Sequence, residues 1–260
     1  MHRSVCFYKL NRYFQWIMLI GLLMFADSRL HAASLQVAVA SNFTAPMKAI
    51  ATEFERETGH KIQLAFGSTG QFYAQIRNGA PFVVLLAADQ ESPQRLAAEG
   101  HAVKESAFTY ARGRLVLWSK KLHFVDSHGE VLKSAVFSRL AIANPKLAPY
   151  GAAAVETLNK LGLYQQIAPK IVEASNIAQT YQFVASENAD LGFVAMSQVF
   201  EHGKLKEGSG WLVPAANHRP INQDAVLLKH GQGNSAAVAL LSFLRSEKAK
   251  VIIRSFGYDL

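Results

Sequence analysis

Phe66-Gly67-Ser68-Thr69-Gly70 is a turn-forming stretch between two segments of different hydrophobic periodicity. The residues before it, Ile62-Gln63-Leu64-Ala65, have β-forming character and predict a strand. After it, Phe72, Ile76 and Ala80 recur at helical spacing. A helix that starts directly after a strand has backbone N–H groups without intrahelical partners, and its dipole favours an anion there. The stretch therefore predicts either an oxyanion site built from neutral donors or an ordinary capped helix start.

A second corner of the same kind lies near the beginning of the chain. Residues 35–40 form an apolar run that predicts a buried strand, and Ser41-Asn42 follows it directly. The next segment carries apolar residues at helical spacing and ends at Gly59. Both corners put hydroxyl or amide groups beyond the carboxyl end of a strand, where open α/β sheets bind ligands.

Strand and helix patterns alternate along the rest of the chain. The predicted strands are residues 81–88, 114–118, 140–143, 171–172, 191–195, 211–213 and 225–228. The predicted helices start near residues 92, 152, 176, 197, 235 and 247. This alternation predicts an α/β protein with parallel or mixed sheets. There is no low-complexity linker, so a two-domain chain would have to cross between its domains on strands.

The first 33 residues have the layout of a secretory signal peptide. Basic residues precede an 11-residue apolar run at positions 16–26, and the small pair Ala32-Ala33 follows. The run is short for a membrane span, so an uncleaved anchor is the weaker alternative. Cleavage after Ala32 would lower the formal net charge of +8 by 3, to +5, and would remove Cys6, the single cysteine. The exported chain would then fold without a disulfide.

Three other patterns point to binding functions but lack the residues that would complete them. Basic residues form no arginine-rich stripe, so nucleic acid is not an expected partner. The sequence of residues 231–236, Gly-Gln-Gly-Asn-Ser-Ala, matches a dinucleotide fingerprint without its acidic ribose partner, which favours a capped turn. His123, Asp126 and His128 have no fourth metal ligand nearby in sequence and favour a solvated loop.

Two alternatives concern other chemistries at the predicted corners. A serine hydrolase is conceivable because Ser41 and Ser68 sit at strand-to-helix turns, but no Gly-x-Ser-x-Gly elbow accompanies them. An organic acid ligand would normally require a bidentate arginine, and Arg112 and Arg114 keep that alternative open.

Taken together, the motifs resemble the periplasmic molybdate-binding proteins, which are the substrate-binding components of molybdate ABC importers. The resemblance extends over essentially the whole chain after the signal peptide. It rests on the order and spacing of residues 40–43, 66–70, 75–76, 79–81, 88–89, 144–145, 148–151 and 190–194.

This resemblance implies two α/β domains with central mixed sheets, joined by two crossover strands in the type II periplasmic-binding-protein arrangement. It places domain 1 at residues 34–112 plus 222–260 and domain 2 at residues 113–221. The oxyanion would lie in the cleft between the domains, which would close on it by hinge motion at the crossovers.

The resemblance also implies the ligand shell. It assigns the oxyanion contacts to six residues: Ser41, Asn42, Ser68, Thr69, Tyr150 and the backbone N–H of Ile177. Ala195 stands where some family members have a ligand-contacting tyrosine, so we expect the Tyr150 phenol to replace it. A carboxylate such as Asp89 would weaken discrimination against phosphate if it faced the cleft.

The implied function is capture of molybdate, and of tungstate, in the periplasm and delivery to the membrane permease of an ABC transporter. We expect no catalysis, no cofactor, no direct metal ligands and a monomeric chain, because molybdate would be held through its oxygens. The alternative is the same fold with sulfate, phosphate or an organic acid as its ligand.

Overall fold

The computed structural model describes residues 35–134, 136–201 and 203–260, so the predicted signal peptide lies outside the described residues. The strands are β1 (Leu35–Ala40), β2 (Ile62–Gly67), β3 (Val84–Leu86), β4 (Phe108–Gly113), β5 (Leu115–Ser119), β6 (Leu140–Ala143), β7 (Ile171–Ala174), β8 (Leu191–Ala195), β9 (Phe200–Glu201), β10 (Lys204–Leu205), β11 (Ser209–Leu212) and β12 (Ile221–Leu227). The α-helices are α1 (Thr44–Thr58), α2 (Thr69–Arg77), α3 (Glu91–Ala98), α4 (Val131–Ser134), α5 (Pro149–Lys160), α6 (Tyr164–Ile167), α7 (Ile177–Ala185), α8 (Met196–Val199), α9 (Ser235–Arg245) and α10 (Glu247–Ser255). Short 3₁₀ turns cover Ser41–Phe43, Lys104–Ser106, Ala168–Lys170, Ala215–Asn217 and Lys229–Gly231.

The strands form two five-stranded mixed sheets. Sheet I has the order β2-β1-β3-β12-β4, in which β1 pairs in parallel with β2 and β3, and β12 pairs antiparallel with β3 and β4. Sheet II has the order β11-β5-β8-β6-β7, in which β6 pairs in parallel with β7 and β8. Its strand β5 pairs antiparallel with β8 and β11. The predicted α/β class with two mixed sheets is confirmed.

Each sheet has helices packed against it, and we call sheet I with its helices module I and sheet II with its helices module II. Helices α1, α2, α3, α9 and α10 belong to module I, whereas α5, α7 and α8 belong to module II. The chain passes from β4 of sheet I directly into β5 of sheet II, and it returns from β11 to β12. Both modules lie within one compact unit, Leu35–Leu260.

Residues suited to helix starts and ends stand at the observed boundaries. The side-chain oxygens of Ser68, Asn176 and Asn234 accept hydrogen bonds from backbone N–H groups in the first turns of α2, α7 and α9. Gly59 ends α1 with a φ of 73°, a left-handed conformation that glycine adopts without strain. The starts of α2, α7 and α9 are therefore fixed locally by the sequence.

Most predicted strands and helices are present. The short elements α4, α6, β9 and β10 were not predicted, and two larger differences concern strands. The strand predicted over residues 81–88 is limited to Val84–Leu86, because only this segment pairs with both β1 and β12. The strand β4 was not predicted from the sequence at all, although it connects the two sheets. Among the helices of the described residues, none has the length and apolar character that crossing a membrane requires.

Candidate functional site

Turns from both modules converge on one small cavity. Module I contributes the turn after β1 and the start of α2, and module II contributes the starts of α5 and α7. The lining residues are Ala40, Ser41, Asn42, Gly67, Ser68, Thr69, Ala88, Ala148, Pro149, Tyr150 and Ile177. All six residues assigned to the oxyanion shell by the resemblance lie in this set.

In the turn after β1, the side chains of Ser41 and Asn42 bind different partners. The Ser41 hydroxyl lies 3.4 Å from Asn176 Oδ1 and donates to it across the two modules. The Asn42 side chain donates through Nδ2 to Gln223 Oε1 at 2.8 Å and to the Tyr258 hydroxyl at 3.0 Å. The amide of Asn42 is therefore used behind the cavity, and the group that Asn42 can offer to a ligand is its backbone N–H.

The second corner is the Gly-Ser-Thr-Gly turn. Ser68 and Gln71 form a reciprocal capping box at the start of α2. The Thr69 hydroxyl accepts a hydrogen bond from the backbone N–H of Ala88 at 2.9 Å, so its own hydrogen can be donated elsewhere. The Ser68 hydroxyl likewise acts as an acceptor in the cap and retains its hydrogen. Both hydroxyls can thus donate to an anion without breaking the turn.

Tyr150 lies at the start of α5, where its backbone N–H has no intrahelical partner. Its hydroxyl is hydrogen-bonded to Gln223 Nε2 at 3.3 Å and also to Tyr258. Burial raises the pKa of Tyr150 well above 10.0, so the phenol stays neutral. In this arrangement the phenol is occupied, and the backbone N–H is the free donor of Tyr150.

The start of α7 provides the fourth donor group. Asn176 Oδ1 accepts from the N–H groups of Ala178 and Gln179, which leaves the N–H of Ile177 at the first helical position. The Gln198 side chain accepts from the N–H of Ala195 at 2.9 Å and donates to the carbonyl of Ile177 at 3.0 Å. Gln198 therefore links Ala195, where some family members have a tyrosine, to the start of α7, which lines the cavity.

The cavity lining is electrically neutral. Within the described part of the chain, no lysine, arginine, histidine, aspartate or glutamate is among the lining residues. Asp89 follows Ala88 but turns its carboxylate to Ser92, accepting from the backbone N–H at 2.8 Å and from the hydroxyl at 3.2 Å. Burial raises the pKa of Asp89 and outweighs these hydrogen bonds. Only dipoles and neutral donors face the cavity.

The residues that would support an organic acid, metal or dinucleotide site are hydrogen-bonded to other partners or form turns. Arg112 donates to Asn222 Oδ1 at 2.9 Å, and Arg114 binds the Asp259 carboxylate in a bidentate pair at 2.9 and 2.7 Å. The Asp126 carboxylate accepts from backbone N–H groups of its own loop. Across residues 35–134, 136–201 and 203–260, no group of three or more His, Cys, Asp or Glu side chains is arranged to hold a metal ion. The Gly-Gln-Gly-Asn stretch is a turn whose Asn234 caps α9.

Three residues adjoin the site without having been identified from the sequence: Gln223 on β12, Ser197 in α8 and Tyr258 after α10. Their side chains hydrogen-bond Asn42 or Tyr150 from behind the cavity. Gln223 is fully buried in β12, but it stands between the polar residues Asn222 and Asp224, so no sequence signal distinguishes it from its neighbours.

Comparison with known proteins gives a consistent result. The family model described as "Bacterial extracellular solute-binding protein" matches residues 35–259. The molybdate-binding protein ModA of Azotobacter vinelandii is 58% identical over 229 residues, which cover 88% of this chain and 91% of that protein. The molybdate-binding protein ModA of Rhodobacter capsulatus is 51% identical, with 87% and 88% covered. The solved structure of the Azotobacter vinelandii periplasmic molybdate-binding protein superimposes with a TM-score of 0.85 at 41% identity, covering 87% of this chain and 99% of that chain.

Proposed function

The chain belongs to the bacterial extracellular solute-binding proteins, and on that premise we propose that it captures molybdate in the periplasm for an ABC importer. The observation that carries this proposal is the neutral cavity at which donor groups from four chain turns converge. A tetrahedral dianion needs many donors, and neutral ones suffice where helix starts point at it.

Six residues hold the oxyanion in this proposal. The hydroxyls of Ser41, Ser68 and Thr69 donate from module I, together with the backbone N–H of Asn42. The backbone N–H groups of Tyr150 and Ile177 donate from module II. The proposal is supported by the presence of all six residues around one cavity and by the hydroxyl hydrogens of Ser68 and Thr69, which remain free to donate. The Ser41 hydroxyl would exchange its bond to Asn176 for one to the ion.

Both modules must contribute donors, so binding requires closure of one module on the other. The proposed domains are residues 34–112 plus 222–260 and residues 113–221. In support, β4 ends at Gly113 and β12 begins at Ile221, so the sheet changes within one residue of each proposed boundary. Hinge motion at these two connections would open and close the site.

The neutral lining also bears on which oxyanions are accepted. Phosphate carries a proton near neutral pH, and a shell of donors leaves that hydroxyl without an acceptor. Asp89 cannot accept a hydrogen bond from this hydroxyl, because its carboxylate is hydrogen-bonded to Ser92. Tungstate has the charge and tetrahedral shape of molybdate and binds as well in this proposal, whereas sulfate is excluded by its smaller size.

Binding without catalysis is the activity we propose, with molybdate as transported ligand and no cofactor. A serine hydrolase would need a base at Ser41 or Ser68, and no histidine lies among the described residues that line the cavity. An organic acid would need a free arginine, and both arginines near the crossover are engaged with Asn222 and Asp259. The protein acts as a monomer that docks on a membrane permease.

Thermal unfolding with added oxyanions tests the proposal. A ligand present at about 1,000 times its dissociation constant adds about 4 kcal/mol to the free energy of unfolding, which raises the midpoint measurably. We expect midpoint increases with molybdate and tungstate and none with sulfate or phosphate. An increase with sulfate alone would assign the cavity to a different oxyanion. No response to any of them would contradict the proposed function.

A further inference from the structure

A buried network of polar side chains lies directly behind the cavity and joins the two modules. Module I contributes four of its members and module II contributes two. The members are Asn42, Tyr110, Gln223 and Tyr258 from module I and Tyr150 and Ser197 from module II. All six side chains are buried. Their hydroxyl and amide groups satisfy one another, so the network can persist in a low-dielectric interior.

The backbone carbonyl of Asn42 is the point at which the network meets the site. It accepts from the Tyr258 hydroxyl at 2.8 Å and from the Ser197 hydroxyl at 2.8 Å. These bonds fix the 3₁₀ turn Ser41–Phe43, which contributes Ser41 and Asn42 to the cavity. Within the same turn, the carbonyl of Ser41 also has two donors, the backbone N–H and the hydroxyl of Thr44, so the bonds to the Asn42 carbonyl add to a turn that is already held on one side.

The two donors to this carbonyl come from different modules. Tyr258 follows α10 and packs its ring edge-on against Phe43, with centroids 5.3 Å apart, inside module I. Ser197 belongs to α8, which follows β8 of sheet II. The two hydroxyls are themselves 3.1 Å apart. The bond from Ser197 to Asn42 therefore joins module II to module I in this arrangement.

We propose that Ser197 and Tyr258 form a closure latch on the Asn42 carbonyl that holds the oxyanion-binding turn in place once the modules have closed. The inference rests on the proposed function and adds positioning residues to it. Neither hydroxyl lines the cavity, so neither residue contacts the bound ion. The latch acts after closure and therefore slows release of the ion, while the open, ligand-free protein does not depend on the Ser197 bond.

The substitution Ser197→Ala tests the latch against a matched control, Ser119→Ala. The Ser119 hydroxyl is equally buried and also donates to a backbone carbonyl, that of Asp190 at 2.6 Å, but within module II. Three quantities are measured for each variant: the unfolding midpoint of the ligand-free protein, the molybdate dissociation constant by calorimetry, and the release rate of labelled molybdate into excess unlabelled molybdate.

For Ser197→Ala we expect release about 3-fold to 10-fold faster and a dissociation constant raised by the same factor, since one hydrogen bond is lost from the closed form. The ligand-free midpoint should not change. For Ser119→Ala we expect a lower ligand-free midpoint with unchanged release. A second variant, Tyr258→Phe, keeps the packing of the ring on Phe43 and should also accelerate release.

The outcomes separate the latch from the proposed function. If the wild-type protein binds molybdate and Ser197→Ala releases it at the wild-type rate, the latch is refuted and the proposed function stands. If Ser197→Ala lowers the ligand-free midpoint as Ser119→Ala does, its bond is part of the open fold and the latch is also refuted. If the wild-type protein binds no molybdate, it is the proposed function that fails.

Discussion

The substitution Gly70→Ala should strengthen the ligand-free protein and weaken molybdate binding. Gly70 lies in the first turn of α2, where its N–H donates to the carbonyl of Leu147 in module II at 2.9 Å. A Cβ atom at Gly70 would lie 2.9 Å from the Cα and 3.1 Å from the carbonyl oxygen of Leu147. These separations are shorter than ordinary van der Waals contact, about 3.5 to 4 Å between carbon atoms.

The two effects have opposite signs because they act on different states. Alanine in place of a helical glycine stabilises a helix by up to about 1 kcal/mol, and this gain is common to the open and closed forms. Under the proposed closure, the contact with Leu147 forms only in the closed form, where crowding of this kind costs about 1 to 3 kcal/mol. Binding therefore loses about 1 to 3 kcal/mol, which raises the dissociation constant about 5-fold to 150-fold.

Calorimetric unfolding of the ligand-free protein and titration with molybdate measure the two effects separately. Gly151→Ala is the contrasting variant, because its Cβ would collide with the carbonyl of Ala143 within module II. That variant should lower the ligand-free midpoint. If Gly70→Ala lowers the ligand-free midpoint and leaves the dissociation constant unchanged, the contact between Gly70 and Leu147 is a permanent part of the fold, and the modules do not separate there.

Three further predictions concern donors, pH and stability. Ser41→Ala should weaken molybdate binding about 5-fold to 10-fold in calorimetry with no change in the ligand-free midpoint, because it removes one donor. Thr69→Val should weaken binding and also lower the ligand-free stability by about 1 to 3 kcal/mol, since the buried N–H of Ala88 loses its acceptor, whereas Thr69→Ser should preserve both properties. Wild-type binding after both substitutions would place the ligand in a different cleft. Molybdate affinity should be constant between about pH 6 and about pH 9 in titrations, because Tyr150 is the one titratable side chain among the described residues that line the cavity, and burial raises its pKa well above 10.0. A change of affinity in that range would mean that another titrating group contacts the ion. Burial alone would raise the pKa of Asp190, but hydrogen bonds from Lys121, Ser138 and Arg139 outweigh burial and lower this pKa below 3.8. The ionised carboxylate therefore stabilises the fold above pH 3.8, and this stabilisation is lost as the pH falls through the lowered pKa. Asp190→Asn should therefore cost about 1 to 3 kcal/mol in urea unfolding near neutral pH, and a difference from wild type that persists in strong acid would contradict this assignment.

Local sequence patterns predicted the helix starts because the determinants are local. Ser68 and Asn176 cap the helices that follow them through bonds to residues two or three positions away. The βα corners that bring Ser41 and Thr69 to one edge of sheet I follow from parallel pairing of β1 with β2, which the alternation of strand and helix implies. The resemblance supplied the two corners of module II.

The strand β4 could not be predicted because its support is distant in sequence. Its residues Thr109 and Arg112 are exposed, so the segment lacks the continuous apolar run of a buried strand. It is held by β12, for example through the pairs Gly113 with Ile221 and Ala111 with Gln223. The chain passes from sheet I to sheet II at the end of β4. The boundary between module I and module II therefore depends on a strand that has no clear local signal in the sequence.

The directions of the side chains at the site were also beyond local reasoning. The Asn42 amide reaches Gln223 and Tyr258, which are 181 and 216 positions away along the chain. The Tyr150 phenol is drawn into the same network and away from the role expected for it. Both residues line the cavity, and the group that each leaves free there is the backbone N–H rather than the side chain.

The neutral shell explains why closure should depend on the ion. The starts of α2, α5 and α7 and the turn after β1 all direct partial positive charge toward one cavity, and no acidic side chain among the described residues lines it to compensate. An empty closed site would therefore bring like partial charges together. Water can solvate these N–H groups in the open form, whereas a dianion satisfies them in the closed form. In the proposed closed form, the bonds that Gly70 and Ser197 make between the modules are each worth about 1 kcal/mol, which is too little to hold the empty site closed against this cost but enough to slow release once the ion has entered.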